Sequence, residues 1–171
     1  SGLMSFLEKA QPQLVKLQNG RNDDLFRLHC IGETEGAKPT LLEQLQACGA
    51  HFYGHVDDLG IVLRPFDIVI IPYERDTGTR TKLPLLFNYA QVVVATRAAV
   101  AGSPEVRPGE NCIILPDARA FPEVLFDLVH DNRKRMQIGM NARRTFETEF
   151  TFDAQLPKYK HVLEQVIRHP L

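Results

Sequence analysis

Short runs of apolar residues alternate along this chain with longer stretches in which apolar residues recur every three or four positions. The plainest run, at residues 67–71, reads Asp-Ile-Val-Ile-Ile and stops at Pro72. An uninterrupted run of this length predicts a strand that is buried on both faces. Further runs predict strands at residues 25–31, 50–53, 91–95 and 111–115.

The stretches between and after these runs predict helices. Apolar residues at helical spacing cover residues 3–17, 39–48 and 80–89, and Pro12 is expected to kink the first helix. Asp57 and Asp58 offer an N-cap for a short helix that ends near Arg64. After the last strand, three amphipathic helices are expected to pack on the sheet or on one another, at residues 121–128, 138–150 and 156–166.

This alternation predicts an α/β fold with a Rossmann-like, doubly wound parallel sheet and helices on both faces. No linker or internal repeat interrupts the sequence, so residues 1–171 are expected to form a single domain. A doubly wound domain normally opens with a strand, whereas this chain opens with a predicted helix. We therefore expect the sheet to lack its first strand.

The composition is that of an ordinary globular domain, with 44% hydrophobic residues, 24% charged residues and a formal net charge of −1. The near-zero net charge does not indicate a nucleic-acid partner, so any anion site has to be formed by a local group of positive charges. No apolar run reaches the ~20 residues that span a bilayer, although a peripheral membrane contact stays open.

The cysteines and histidines show no metal-binding spacing. Cys30, Cys48 and Cys112 lie far apart, which predicts buried free thiols and a cytoplasmic protein. His29 lies inside a predicted strand and is expected to be a satisfied core residue.

The loop after residues 67–71 has the composition of an anion site. Ligands of open α/β sheets bind beyond the carboxyl ends of the strands. Gly78 makes the backbone flexible, and Pro84 fits only the first turn of a helix, which sets the helix start near Arg80. Arg80, Lys82 and the free N–H groups of that turn suit a diphosphate. The alternative is a capped surface helix with two solvated cations.

Two neighbouring features bear on the same site. Either Thr79 or Thr81 can cap the helix. The loop at residues 96–109 is rich in small residues and glycine, which permits close backbone approach to a ligand, but a plain long connection fits equally well. Arg97 follows a strand end and can approach a phosphate, the alternative being a solvated side chain.

Nearly the whole chain resembles one family, through elements that occur in the same order and spacing. These elements are Phe52-Tyr-Gly-His-Val56 before Asp57, Asp67-Ile-Val-Ile-Ile-Pro72, Gly78-Thr-Arg-Thr-Lys82, Val93-Val-Ala-Thr96 with Ala99 and Gly102, and Gly109 with Asn111 and Asp117. They resemble the C-terminal, donor-binding domain of retaining GT-B-fold glycosyltransferases of group 1, which use nucleotide-diphosphate sugars. The resemblance implies a hexosyltransferase-type enzyme.

The resemblance also implies roles for individual residues. Four residues would face the donor diphosphate: Gly78, Thr79, Arg80 and Lys82. The main chain of Val56, with His55 beside it, would line the pocket for the nucleotide base. Glu74 and Asp76 are candidates for sugar contacts, the alternative being a solvated loop pair.

The resemblance further implies a partner domain and no cofactor. The acceptor would sit on an N-terminal domain that is absent from these residues, so the 171 residues alone are expected to be inactive. No acidic metal-binding motif occurs, so metal dependence is not expected. No residue of this chain is assigned a catalytic role.

Departures from the family pattern keep other hypotheses open. The family usually carries two glutamates eight positions apart, and Thr77 and Leu85 occupy those places here. A leucine cannot accept hydrogen bonds from a ribose diol. One alternative is therefore a degenerate, non-catalytic domain that acts as a scaffold or interaction module. Another is an unrelated doubly wound module, which would have a complete sheet.

Overall fold

The computed structural model of this chain describes residues 6–8, 12, 15, 26–75 and 81–168. The strands in this part of the chain are β1 (His29–Ile31), β2 (His51–Gly54), β3 (Ile68–Ile71), β4 (Val92–Thr96) and β5 (Ile113–Leu115). The α-helices are α1 (Pro39–Ala47), α2 (Lys82–Asn88), α3 (Arg97–Val100), α4 (Phe121–His130), α5 (Asn132–Glu149) and α6 (Phe152–Arg168). Two 3-10 helices lie at Leu59–Ile61 and Ala118–Ala120.

The strands pair in two parallel sheets. β1 pairs with β2, and β3, β4 and β5 form a second sheet in that order. In the second sheet Val69 lies beside Val93 and Ile71 beside Ala95. The predicted α/β class with parallel strands and flanking helices is confirmed.

Side chains of the three-stranded sheet alternate between two apolar cores, one on each face. The first core is shared with the helical residues Phe6 and Leu7, with α1 and with α4. The second core is shared with α2, α3 and with Ala142 and Phe146 of α5. β1 and β2 contribute only to the first core, through alternate residues that include Cys30 and Phe52. Helices therefore cover both faces of the larger sheet.

The residues predicted to start or end helices do so at α1, and the predicted aspartate cap is present at the first 3-10 helix. Pro39 starts α1, and Gly49 follows its end with a φ of 69°. Asp58 caps the 3-10 helix, because its carboxylate accepts a hydrogen bond from the Gly60 N–H at 2.8 Å. That helix ends at Ile61 and does not continue to Arg64 as predicted.

The start of α2 differs from its prediction. The helix begins at Lys82, and Pro84 lies in its first turn. Thr81 takes the N-cap position but its side chain makes no capping hydrogen bond, and Thr79, the other predicted cap, lies outside the described residues. The backbone of Thr81 is already helical, with φ −59° and ψ −24°, whereas a capping threonine normally has an extended backbone.

The structure differs from the sequence predictions at three further places. α6 has no buried residue, and its Tyr159, Leu163 and Val166 are 66%, 62% and 62% exposed, so this helix does not bury its apolar face as expected. His29 is exposed and donates to or accepts from the Tyr53 hydroxyl at 3.0 Å, so it is not a core residue. Residues 97–100, inside the predicted long loop, form the short helix α3.

The predicted free thiols are present. Cys48 and Cys112 are buried and Cys30 is partly buried, and none of the three forms a disulfide. Burial raises the pKa of the Cys112 thiol to about 12. None of the helices in the described ranges has the length and apolar character needed to cross a bilayer.

Candidate functional site

The carboxyl ends of β3 and β4 lie side by side at one edge of the larger sheet. Ile71 is in register with Ala95, and both side chains are buried. The Thr96 hydroxyl donates a hydrogen bond to the Tyr73 carbonyl, and Thr96 is only 2% exposed. This buried bond fastens the first residues of the loop after β3 to the end of β4, which places that loop where open α/β sheets bind ligands.

Lys82 is the first residue of α2 and directly follows this loop. Leu83, Leu86 and Phe87 bury one side of the short helix in the second core and leave Lys82 at the surface. Lys82 forms no ion pair or hydrogen bond among the described residues, so its charge is available to an anion. Because α2 has only seven residues, its helix dipole adds little to the positive charge of this side chain.

The other diphosphate candidates lie outside the described residues. These are Gly78, Thr79 and Arg80, together with the sugar candidate Asp76 and the departure at Thr77. Glu74 is described and exposed, just after the anchored Tyr73. The structure therefore gives the two ends of the loop, at residues 72–75 and 81–82, and the roles of the residues between them stay predictions.

The candidates for the base pocket follow β2. His55 Nε2 lies 3.1 Å from an oxygen of Asp57, and the two side chains are 68% and 98% exposed. Val56 between them is partly buried. Among the described residues, no hydrogen bond or ion pair joins this group to Lys82, and the two groups follow strands of different sheets.

Two polar residues at strand ends have roles that the sequence did not assign. One is Thr96, whose place after an apolar run was visible but whose bond to Tyr73 was not. The other is Asn111, which is fully buried at the start of β5 and whose amide nitrogen donates to the Glu105 carbonyl and to the Thr145 hydroxyl, both at 2.9 Å. A polar residue next to an apolar run, after it for Thr96 and before it for Asn111, is the signal that could have found both.

Two further exposed residues follow the carboxyl ends of β3 and β4 in the sequence. Arg97, the first residue of α3, is exposed directly after β4, and its predicted approach to a phosphate stays a prediction. Leu85 is 40% exposed on α2. Among the described residues, no three histidine, cysteine, aspartate or glutamate side chains converge in a way that could hold a metal ion.

Comparison with known proteins matches residues 1–131 to the family described as Glycosyl transferases group 1. No curated protein matches the chain. Among solved structures, Alr3699/HepE from Anabaena in complex with UDP superposes with a TM-score of 0.71 at 16% identity, over 92% of this chain and 45% of that one.

A glycosyltransferase from Rickettsia africae superposes with a TM-score of 0.69 at 16% identity, over 94% of this chain and 45% of that one. The C-terminal domain of LpcC, a glycosyl transferase group 1 family protein from Francisella tularensis, superposes with a TM-score of 0.64 at 18% identity, over 83% and 78% of the two chains. These likenesses show a shared fold. The present chain spans about 45% of the length of the first two proteins.

Proposed function

Because this chain belongs to the glycosyl transferases group 1 family, we propose that it is the donor-binding half of a glycosyltransferase and holds a nucleotide-diphosphate sugar. The observation that carries the proposal is the Thr96–Tyr73 hydrogen bond, which fixes the loop leading to Lys82 at the carboxyl edge of the sheet. HepE, which shares the fold, has been solved with UDP and with UDP-glucose, and we propose the same class of ligand here.

In this proposal the loop and the start of α2 stabilise the leaving diphosphate. Negative charge builds on the diphosphate as the bond to the sugar breaks, and cations held in place beforehand lower the energy of that state. Lys82 and Arg80 supply the charge, while Gly78 and Thr79 supply backbone N–H donors. These groups would do the work that a metal ion does in other transferases, so no metal is proposed.

The remaining contacts follow from the order of the strands. The main chain of Val56 reads the base, with His55 at the rim of that pocket. Glu74 and Asp76 are proposed to contact the sugar from the anchored loop. His55 and Glu74 follow the carboxyl ends of the parallel strands β2 and β3, and this position supports the proposal, because doubly wound domains bind ligands beyond such strand ends.

Transfer itself is proposed to need a second, N-terminal domain that carries the acceptor. Closure of the two domains would exclude water and complete the site, so these 171 residues alone would bind the donor without transferring a hexosyl group. The three free thiols support a reducing, cytoplasmic location.

The test is titration of UDP, GDP and ADP into the 171-residue chain, followed by calorimetry and by NMR. We expect weak binding of at least one nucleotide, with shifts at residues 78–82. Lys82→Ala should weaken nucleotide binding by about 10- to 100-fold, since a hydrogen bond to a charged group contributes ~1.5–3 kcal/mol. Lys134→Ala, an exposed lysine on α5, is the matched control and should change nothing. No heat and no shifts at millimolar nucleotide would contradict the proposal.

A second candidate is a degenerate domain that acts as a scaffold or interaction module, and Leu85 is the observation that favours it. This leucine is 40% exposed on α2, where the family carries a glutamate for the ribose. The two candidates differ in the full-length protein and in Leu85→Glu. Absence of donor hydrolysis and transfer, together with no gain of nucleotide binding in Leu85→Glu, would favour the scaffold.

A further inference from the structure

The exposed face of the smaller sheet carries two histidines that are far apart in the sequence. His29 and His51 are register partners in the parallel pair of β1 and β2. Neighbouring strands lie about 4.7–4.9 Å apart, and register partners send their side chains to the same face. Both histidines are exposed, whereas the residues after them, Cys30 and Phe52, pack against the first core. The fold therefore places two imidazole rings side by side on one surface.

Tyr53 contacts both histidines because of an irregularity in the strand pair. The register of β1 against β2 shifts between Cys30 and Ile31, which leaves Tyr53 without a register partner in β1. Such a bulge changes the direction of a side chain. The Tyr53 hydroxyl lies 3.0 Å from His29 Nδ1, and the Tyr53 ring centroid lies 4.6 Å from that of His51. The three side chains thus form one polar cluster.

The hydrogen bond to Tyr53 prepares His29 to bind a metal ion. A neutral imidazole carries a proton on one nitrogen and a free lone pair on the other. When Nδ1–H donates to the Tyr53 hydroxyl oxygen, the lone pair is on Nε2. Metal-bound histidines are commonly oriented in this way, by an oxygen that accepts from the second ring nitrogen. The His51 ring makes no hydrogen bond in the described part of the chain, so its nitrogens are open to a ligand.

The spacing of the two rings suits a shared ion. The ring centroids of His29 and His51 lie 6.3 Å apart, with an angle of 69° between the ring planes. A tetrahedral ion that is bound at ~2.0–2.1 Å by two imidazole nitrogens holds the ring centroids about 5 Å apart. Exposed side chains change rotamer readily, so rotation of these side chains can bring both nitrogens to one ion.

We propose that His29 and His51 bind one divalent transition-metal ion of the kind that imidazole prefers, such as Zn²⁺ or Ni²⁺. Tyr53 orients His29, and water fills the remaining coordination positions because this face is open to solvent. The ion connects β1 to β2 across the uncovered face of the smaller sheet. This is a structural site, separate from the donor site, for which no metal is proposed.

Two protein ligands set the character of the site. Among the residues that the structure describes, no third histidine, cysteine, aspartate or glutamate converges with the pair. Closed structural zinc sites have four protein ligands. The ion is therefore held more weakly than in such a site and exchanges with ions in solution.

The cysteines of the first core offer a rival site. Cys30 and Cys48 both lie in this core, on the other side of the smaller sheet from the histidines. Burial raises the pKa of both thiols, and this opposes the thiolate form that binds metal ions. Cys48→Ala should therefore leave metal binding unchanged.

Titration of Ni²⁺ and of Zn²⁺ into the 171-residue chain, followed by calorimetry without any nucleotide, tests the site. His29→Ala and His51→Ala should each weaken binding more than about tenfold, because each leaves a single histidine. Both residues are exposed, so neither change removes core packing. His130→Ala is the matched control. His130 is an exposed histidine on α4 whose Nδ1 lies 2.8 Å from the Phe126 carbonyl oxygen, and its loss should not change the affinity.

The role of Tyr53 is tested by Tyr53→Phe. This change keeps the ring that contacts His51 and removes only the hydroxyl that bonds to His29. Loss of such an orienting partner should weaken binding of Ni²⁺ by about tenfold. An unchanged affinity would contradict the orienting role.

Amide hydrogen exchange shows whether the ion connects the two strands. The His51 N–H donates to the Leu28 carbonyl and the Gly32 N–H donates to the Gly54 carbonyl, both at 2.8 Å, and these bonds join β1 to β2. Saturating Zn²⁺ should slow exchange of both amides severalfold. In His51→Ala the same concentration of Zn²⁺ should not slow exchange of the Gly32 amide. Unchanged exchange in the unaltered chain would mean that the ion does not bridge the strands.

Three results would overturn the proposal. These are unchanged affinity for both ions in His29→Ala and His51→Ala, an equal loss of affinity in His130→Ala, and loss of binding in Cys48→Ala. None of these measurements needs a nucleotide, so failure of the proposed donor binding would leave them unchanged.

Discussion

The three-stranded sheet and the two-stranded sheet differ in how they are covered. In the larger sheet Val92, Val93 and Val94 are 0% exposed, because helices pack on both faces. The smaller sheet is covered on one face and leaves the other to solvent. The connection from β2 to β3 explains this, since it holds only a 3-10 helix in place of a longer helix.

The exposed face of the smaller sheet is held together by its own side chains. His29, His51 and Tyr53 lie on it, with the His51 and Tyr53 ring centroids 4.6 Å apart and His29 bonded to the Tyr53 hydroxyl. Such contacts replace burial only in part, because ring pairs contribute about 0.5–1.5 kcal/mol each. We therefore expect stability to be concentrated in the larger sheet. Two pairs of substitutions compare the two sheets, and a third pair compares the centre of the larger sheet with its edge.

The largest difference is expected between two phenylalanines. Phe87 on α2 is 0% exposed in the second core, and Phe87→Ala should lower the free energy of unfolding by about 3–5 kcal/mol. Phe52 on β2 is only partly buried, so Phe52→Ala should cost less than half as much. Urea unfolding measures both. Equal losses of unfolding free energy in the two variants would mean that the two sheets contribute equally to stability.

A smaller effect is expected from two glycines. A Cβ at Gly139 would lie 2.5 Å from the Ala90 carbonyl oxygen and 2.6 Å from the Phe66 ring, so Gly139→Ala forces α5 away from the larger sheet. Overpacking of this kind costs about 1–3 kcal/mol. In β2, Gly54 has a φ of 67° but nothing within 4 Å, so Gly54→Ala should cost only about 1 kcal/mol of backbone strain. Thermal unfolding of both variants checks the order, and a larger loss in Gly54→Ala would contradict it.

The smallest difference separates two neighbours within the larger sheet. Val93 and Val69 are in register and point into the same core, but Val93 is fully buried and Val69 is not. Val93→Ala should cost about 1.6 kcal/mol, at ~0.8 kcal/mol for each methyl group, and Val69→Ala about half of that. If urea midpoints of the two variants coincide, the outer edge of β3 is better covered than its partial burial indicates.

Much of the fold could be predicted from local pattern. The strands at β3 and β4 and the helices α1 and α5 follow from apolar periodicity and from Pro and Gly signals, which act over a few residues. The exposure of α6 could not be predicted, because an amphipathic helix shows which face seeks cover and not whether cover is present. The prediction that His29 is a core residue was wrong for the same reason, since the sequence of a strand does not show which of its faces a helix will cover.

The candidate site was predictable as a place and not as a set of contacts. Composition and resemblance point to Gly78 to Lys82 as a ligand loop, and for residues 76–80, which lie outside the described residues, this stays a prediction. The bond from Thr96 to Tyr73 joins residues that are distant in sequence, and it depends on the register of β3 against β4.

The sequence by itself determined the parallel α/β class, the strands of the larger sheet and the loop that leads to Lys82, because each depends on side chains close together along the chain. Only the tertiary structure decided that the strands form two sheets, that one face of the smaller sheet is exposed, and that α6 is uncovered. These features depend on which edges and faces meet, and that is settled by packing between segments far apart in the sequence.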